Sequence, residues 1–209
     1  MKWVFFDFNG TIIDDVDLCL NLLNEILLKQ GNKTVSKEEY KDIFCFPVRK
    51  YYELAGVDLK KDSFDDLSKW FIKKYQPASY ECNLFPHLKE TILELKKRGI
   101  KVAVLSASQI DNLKDQLIKF KIIDLFDAVL GLDDIHAASK VEVGKSFILA
   151  NKIKPQDILF VGDTNHDKEV ADAIGAKAIL FSEGHQSLKV LGKENTPIIN
   201  DLRKTLLYV

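Results

Sequence analysis

Several features that would assign this chain to a specialised class of protein are scarce or missing. No apolar run approaches the roughly 20 residues that cross a bilayer, and the amino terminus lacks the basic region and apolar stretch of a secretion signal. The net charge of -1 disfavours a protein that binds nucleic acid electrostatically. We therefore expect a cytoplasmic monomer or homodimer that works without nucleic acid or membrane.

Cysteine is also sparse. Cys19, Cys45 and Cys82 are odd in number, lack C-x-x-C spacing and fall in largely apolar surroundings. These properties favour free thiols over a disulfide or a zinc site. We assign the three residues no chemistry.

Apolar segments divide the chain into strands and helices. At 209 residues and 46% hydrophobic composition, the chain can bury one core and a small satellite core. Strands are predicted at 3–6, 101–105, 128–131, 157–161 and 177–181, separated by helical patterns. This alternation predicts an α/β fold with a doubly wound parallel sheet, a Rossmann-like core.

The segment between the first two strands is expected to be all helix. It starts with a helix from Val16 to Lys29, and Ser36-Lys-Glu-Glu39 has the form of a capping box. After a similar start at Ser63, apolar residues recur at helical spacing, and we interpret them as the internal packing of the insert: Phe64, Leu67, Phe71 and Tyr75. The predicted domains are a core of residues 1–15 and 83–209 and a helical cap of residues 16–82, with hinges near 13–16 and 79–86.

Polar side chains follow three of the predicted strands. Asp7 is followed by Phe8-Asn9-Gly10-Thr11, Ser106 by Ala107, and the strand at 157–161 by a loop that carries Asp163 and Asp167. The carboxyl ends of parallel strands form the ligand-binding edge of such sheets. Gly10 permits a tight turn that could aim the amides after Asp7 at an anion. Two carboxylates on one loop suit Mg²⁺.

These segments together resemble the four motifs of the haloacid dehalogenase superfamily of phosphohydrolases, specifically the members with a helical cap, such as phosphoglycolate phosphatases. Asp7 to Thr11 resembles motif one, Ser106 motif two, Lys140 motif three, and Gly162-Asp-Thr-x-x-Asp167 motif four. Lys145 competes with Lys140 for the third motif. All four motifs occur in the family's order.

The resemblance implies a Mg²⁺-dependent phosphatase that acts on a small phosphorylated metabolite. Asp7 would attack phosphorus and form an aspartyl-phosphate. The metal would be held by the side chains of Asp7 and Asp163 and by the backbone carbonyl of Asn9, while Asp167 would hold a metal-bound water or orient Lys140. The phosphoryl group would be bound by Lys140, Ser106, Ala107 and the backbone of Phe8, Asn9 and Gly10.

Asn9 departs from the family's pattern, which usually has a second aspartate here. An amide cannot protonate a leaving group at neutral pH, so catalysis could be slow or absent. The chain could act on substrates that need little protonation, recruit His166, carry a change introduced to trap a complex, or bind phosphorylated ligands without turnover. Two alternatives within the superfamily are a metal-independent haloacid hydrolase and a phosphonate hydrolase with Lys50 as its Schiff-base lysine.

Other basic residues carry weaker signals. Arg49 in the cap could contact an anionic leaving group, and His166 in the fourth motif could lie near the substrate. We interpret His185 as a loop histidine with a local hydrogen bond. His87 and His136 receive no functional interpretation.

Overall fold

The computed structural model describes residues 1–133 and 139–209, so His136 lies outside the described residues. A six-stranded parallel sheet forms the core, in the order β5-β4-β1-β6-β7-β8. Its strands are β1 Trp3–Phe6, β4 Lys101–Gln109, β5 Ala128–Leu132, β6 Ile158–Gly162, β7 Lys177–Phe181 and β8 Ile198–Ile199. The predicted α/β fold class is confirmed. The short edge strand β8 was not predicted, because two residues carry no periodic signal.

Strand β1 is central and buried on both faces. It pairs with β4 on one side and β6 on the other, and all four of its residues are buried. Val4 and Phe6 belong to one apolar cluster and Trp3 and Phe5 to another. Each face of the strand therefore needs large apolar side chains, which explains the absence of alternation in its sequence.

Helices cover both faces of this sheet. The core helices are α5 Leu88–Lys97, α6 Ile110–Lys119, α7 Lys140–Ala150, α8 Asn165–Ile174 and α9 Leu188–Leu191. Short 3₁₀ helices lie at Ile123–Leu125, Pro155–Asp157 and Leu202–Leu207. Strand β4 runs four residues beyond its predicted end, with a register irregularity between Leu105 and Gln109.

Four helices form the segment inserted after β1: α1 Val16–Lys29, α2 Lys37–Ile43, α3 Val48–Ala55 and α4 Phe64–Ser79. They enclose an apolar cluster of their own. Ser36 and Glu39 form a capping box at the start of α2, and Ser63 caps α4. The two connections to the core pair as a short antiparallel ribbon, β2 Ile13–Asp14 with β3 Asn83–Leu84. The domain boundaries at 15/16 and 82/83 stay a prediction.

The loop after β7 contacts helix α2 of the insert. The Ser187 amide donates to the Lys41 carbonyl at 3.0 Å, and the Gln186 side chain donates to the Phe44 carbonyl at 2.8 Å. Ser187 Oγ also donates to Asp42 at 2.6 Å. These bonds hold the insert over the carboxyl edge of the sheet. Within the described residues, no helix has the length and apolar character needed to cross a membrane.

Candidate active site

Three carboxylates converge at the carboxyl edge of the sheet. Asp7 follows β1 and Asp163 follows β6, while Asp167 lies in the first turn of α8. One oxygen from each lies within 4.8 Å of the others, and all three residues are buried. Adjacent parallel strands end at the same edge, which is why residues distant in sequence meet here.

Lys140 is the cation of this cluster. It is the first residue of α7, is only 5% exposed, and its Nζ donates to Asp7 and, at 2.7 Å, to Asp167 Oδ1. Lys145, one turn further along the same helix, is exposed. The structure therefore places Lys140, and not Lys145, at the site.

The carboxylate of Asp167 is already occupied by several donors. Its Oδ2 accepts from the amides of Asp163 and Thr164 at 3.1 and 3.0 Å and from Thr164 Oγ1 at 2.7 Å, while Oδ1 faces Lys140. Despite burial, the adjacent Lys140 lowers the pKa of Asp167. Of the two roles predicted for Asp167, this arrangement fits the orientation of Lys140 better than the binding of a metal-bound water.

Burial sets the ionisation of the other two carboxylates. It raises the pKa of Asp7 to about 6, although Lys140 acts in the opposite direction. It raises the pKa of Asp163 to about 8, with further contributions from the nearby Asp167 and Asp7. Burial alone would lower the pKa of Lys140, but Asp167 and Asp7 raise it, so Lys140 is charged. The cluster thus holds more potential negative charge than Lys140 neutralises.

This donor set fits a divalent cation. Mg²⁺ prefers carboxylate oxygen and is bound through one or two carboxylates together with water and substrate phosphate. The Asp163 carboxylate is buried among other acids, and a cation beside it would stabilise its charged form. Asp7 and Asp163 are therefore the side chains suited to hold the metal.

Two glycines allow the chain to approach Asp163 closely. Gly10 has φ +71°, and a Cβ there would lie 2.3 Å from Asp163 Oδ2; a Cβ at Gly184 would meet the same oxygen at 2.3 Å. Thr11 Oγ1 donates to Asp163 Oδ1 at 3.2 Å, and the His185 amide donates to Oδ2 at 2.6 Å. Side chains at either glycine would displace this carboxylate.

A second polar network, which sequence reasoning missed, lies beside Asn9. The fully buried Asp15 accepts from Asn9 Nδ2 at 2.8 Å and from the Tyr75 hydroxyl at 2.7 Å. His185 Nε2 lies 3.1 Å from Asp15 Oδ1, and His185 Nδ1 lies 2.7 Å from the Tyr40 hydroxyl. Because these buried polar groups are hydrogen-bonded to one another, the network keeps its side chains in a single arrangement.

Asp15 and His185 form a buried ion pair. Burial alone would raise the pKa of Asp15, but the adjacent His185 lowers it. Burial likewise opposes the charged form of His185, but Asp15 raises the pKa of the imidazole to about 9. At neutral pH the pair is therefore a carboxylate and an imidazolium.

Two sequence interpretations are corrected by this network. His185 was interpreted as having a local hydrogen bond, but its ring contacts Asp15 and Tyr40, 170 and 145 residues away. Tyr75 was assigned to the cap's internal packing; its hydroxyl instead reaches Asp15 and Asn9. Two sequence features could have indicated this network: the histidine of Gly184-His185 at the sheet edge, and the doublet Asp14-Asp15 beside a hinge.

The backbone amide of Gly10 also differs from expectation. It donates to Asp15 Oδ1 at 2.9 Å and to the Ile13 carbonyl at 3.0 Å, so it is satisfied within the protein and not aimed at an anion. The Phe8 side chain is buried in the core. Ser106 is buried, Ala107 is exposed, and both line the cavity described next.

A cavity of about 410 Å³ lies between the core and the helical insert. Asp7, Asn9, Ser106 and Lys140 lie on its core side. His166 also lines it, where its ring packs against Phe46 with centroids 4.6 Å apart and its Nδ1 lies 3.1 Å from Glu169.

The two cap residues singled out for their charge lie elsewhere. The Arg49 guanidinium sits 4.9 Å from the centre of the Phe64 ring and does not line the cavity. Lys50 lines a second depression, which is bordered by Cys45 and Phe46. The prediction that Arg49 contacts the substrate is therefore not supported by its position. The cysteines are free and half-buried.

Comparison with known proteins agrees with this geometry. The family model for haloacid dehalogenase-like hydrolases matches residues 4–181. The chain belongs to this family. A phosphoglycolate phosphatase from Pseudomonas fluorescens strain Pf0-1 is 28% identical over 98% of this chain and 78% of its own length. The predictions of the superfamily and of a hydrolase of this type are confirmed.

Solved structures share the fold. A haloacid dehalogenase-like hydrolase from Streptococcus pneumoniae superposes with a TM-score of 0.84 at 19% identity, covering 100% of this chain and 98% of its own. A predicted phosphoglycolate phosphatase from Haemophilus somnus superposes with a TM-score of 0.79 at 20% identity, covering 100% and 97%. At these identities the likeness establishes the fold alone.

Proposed function

We propose that this chain is a Mg²⁺-dependent phosphatase that hydrolyses a small phosphomonoester through an aspartyl-phosphate on Asp7. The observation that carries the proposal is the meeting of Asp7, Asp163 and Lys140 at the floor of one cavity, with Ser106 on the same floor. The names of the relatives, phosphoglycolate phosphatases, support the same reaction class.

The first step is attack on the substrate. A carboxylate oxygen of Asp7 attacks phosphorus, the bond from phosphorus to the leaving oxygen breaks, and the leaving group departs with the electron pair. Lys140 and the Ser106 hydroxyl stabilise negative charge on the transferring group. Asp7 and Asp163 would hold Mg²⁺, which when bound would supply positive charge that offsets the repulsion between the two anions.

The second step regenerates the enzyme. Water adds to phosphorus, the bond between phosphorus and Asp7 breaks, and inorganic phosphate leaves with the water oxygen. Asn9 cannot deliver a proton to the leaving group or take one from the water. Its amide instead donates to Asp15, which fixes the orientation of the side chain beside the cavity.

The positions of the cavity residues also bear on the two alternative reactions, phosphonate hydrolysis and haloacid hydrolysis. Lys140 is the one lysine among the described residues that line the cavity. It lies on the core side, in contact with carboxylates. A phosphonate hydrolase would need a lysine from the cap, and Lys50 faces a different depression. The cluster of three carboxylates favours a metal-dependent reaction over a metal-independent haloacid hydrolase.

The proposal is tested by Mg²⁺-dependent phosphate release. Acetyl phosphate and 4-nitrophenyl phosphate are suitable substrates because their leaving groups need little protonation. We expect turnover in Mg²⁺ that is lost in EDTA and restored when Mg²⁺ is added back. The purified Asp7→Asn protein serves as the control for contaminating phosphatases. Turnover that persists in EDTA, or in that control, would contradict the proposal.

Measurements of Mg²⁺ affinity can distinguish the predicted side-chain ligand, Asp163, from the predicted backbone ligand at Asn9. Asp163→Asn is expected to weaken Mg²⁺ binding at least about 10-fold, because a carboxylate ligand is lost while the side-chain shape is kept. Asn9→Ala is expected to leave the affinity nearly unchanged, because the predicted ligand at residue 9 is the backbone carbonyl. Titration calorimetry of both variants measures the difference. The reverse order would show that the metal is held by other groups.

A further inference from the structure

The cavity above Asp7 has an apolar wall built by the insert. Aromatic and aliphatic side chains from three of its helices or their connections face the opening: Phe44, Phe46, Tyr51, Phe64, Phe71 and Ile72. Ile72 is 55% exposed although it is a large apolar residue. Phe71 stacks on Tyr75 with ring centroids 5.5 Å apart and planes at 11°. A flat apolar group entering from above Asp7 would meet these rings.

Charge in the cavity is confined to the phosphoryl end. Its carboxylates are Asp7, Asp15, Asp163 and Asp167, and its charged cations are Lys140 and His185, all on or next to the core. Among the described residues, no lysine or arginine of the insert lines the cavity. The described residues of the insert therefore offer no lining lysine or arginine to pair with a second negative charge on a substrate, and desolvating an unpaired charge is costly.

The size of the cavity points the same way. A volume of about 410 Å³ is in the range that proteins use for ligands much larger than a two-carbon acid. A glycolate leaving group would fill little of it.

The groups near Asn9 supply a further constraint. The Asn9 amide is not an acid at neutral pH. The Tyr75 hydroxyl uses its proton in a hydrogen bond to Asp15. Both ring nitrogens of His185 are engaged by Asp15 and Tyr40. A leaving group that departs readily without a proton suits this site best.

We propose that the substrate is an aryl phosphate monoester, whose leaving group is an uncharged phenol or naphthol, with its ring in the apolar wall of the cavity and its phosphate on Asp7. The inference rests on the proposed phosphatase function and names its substrate class. It combines two independent observations, the aromatic wall without cations and the amide in place of an acid at residue 9.

Kinetics on matched substrates tests the class. With Mg²⁺ present, kcat/KM for 2-naphthyl phosphate is expected to exceed that for 2-phosphoglycolate by about 100-fold or more. The apolar alkyl ester 3-phenylpropyl phosphate should show a similar KM to the aryl ester but a kcat about 100-fold lower, because its leaving group needs a proton. Equal kcat values for alkyl and aryl esters would overturn the inference and point to His166 as an acid.

Binding of non-hydrolysable phosphonates separates this inference from the proposed function. By calorimetry, a naphthylmethylphosphonate should bind at least about 10-fold more tightly than phosphonoacetate, which carries a second negative charge. Phe71→Ala should weaken the naphthyl ligand about 5-fold or more by removing a stacking surface. Leu28→Ala, a change at a 63% exposed leucine of α1 away from the cavity, is the matched control and should not alter it.

The outcomes are distinguishable. Equal or tighter binding of phosphonoacetate, with turnover of acetyl phosphate intact, would overturn the substrate class and leave the phosphatase proposal standing. Preference for the naphthyl phosphonate without turnover of any phosphate ester would overturn the phosphatase proposal and support the ligand class. Loss of affinity in Leu28→Ala equal to that in Phe71→Ala would show that the effect is not local, and would overturn the assignment of the wall.

Discussion

Asp7→Asn is expected to lower phosphatase turnover by about 10⁴-fold or more while the protein remains folded, because an amide cannot form the phosphoryl intermediate. Phosphate release from acetyl phosphate in saturating Mg²⁺ measures the loss. The substitution keeps the shape of the side chain and removes only its charge and nucleophilicity.

Stability provides the second readout of this variant. Burial raises the pKa of Asp7 to about 6, so at neutral pH, above both its folded and unfolded values, the ionised carboxylate lowers the stability of the folded state. Without metal, the melting temperature of Asp7→Asn is therefore expected to equal or exceed that of the parent. Asp115→Asn, at an exposed position of α6, controls for surface effects. A large fall in melting temperature would mean that the lost turnover reflects unfolding.

Asn9→Asp is expected to raise turnover of alkyl phosphates by about 10²-fold or more. Asn9 Nδ2 lies 2.8 Å from an oxygen of Asp15, so a carboxyl group at residue 9 would lie at hydrogen-bond distance from that carboxylate. Two carboxyl groups this close share a proton. Since Asp15 is already paired with His185, the proton belongs on residue 9, where it can reach the leaving group. Steady-state rates on 3-phenylpropyl phosphate measure the gain.

Two further variants serve as controls for this prediction. Asn9→Ala has no proton to donate and should show no gain. The double change Asn9→Asp with Asp15→Asn removes the carboxylate that keeps the proton on residue 9, and should lose most of the gain. If the Asn9→Asp protein is folded and is no faster than the parent on any substrate, Asn9 is not the site of a missing acid.

The strands and their polar ends could be predicted from the sequence because their signals are local. The run Trp3 to Phe6 is apolar at every position because β1 is covered on both faces. Asp7 and Asp163 follow directly on strands β1 and β6, so their convergence follows from the parallel sheet alone.

The network around Asp15 could not be predicted in the same way. Its partners Tyr75 and His185 lie 60 and 170 residues away. The position of Tyr75 depends on how the insert docks on the core, and that of His185 depends on the path of the loop after β7. Helical spacing assigned Tyr75 to the insert's packing because periodicity reports the face of a helix and not what lies opposite that face. The hydrogen bonds of the Gly10 amide likewise depend on where Asp15 lies.

Consecutive residues and their spacing were therefore enough to predict the α/β class, the order of the four motifs and the residues at the strand ends. Three features required the folded structure: Lys140 rather than Lys145 reaches Asp7, Asp15 and His185 pair beside Asn9, and the wall facing Asp7 is aromatic, with no lysine or arginine of the insert among the described residues that line it. These contacts join residues that are far apart in the sequence. Within the core they depend on how helices and loops pack at the edge of the sheet, and at the wall they depend on how the insert docks, so no local pattern reports them.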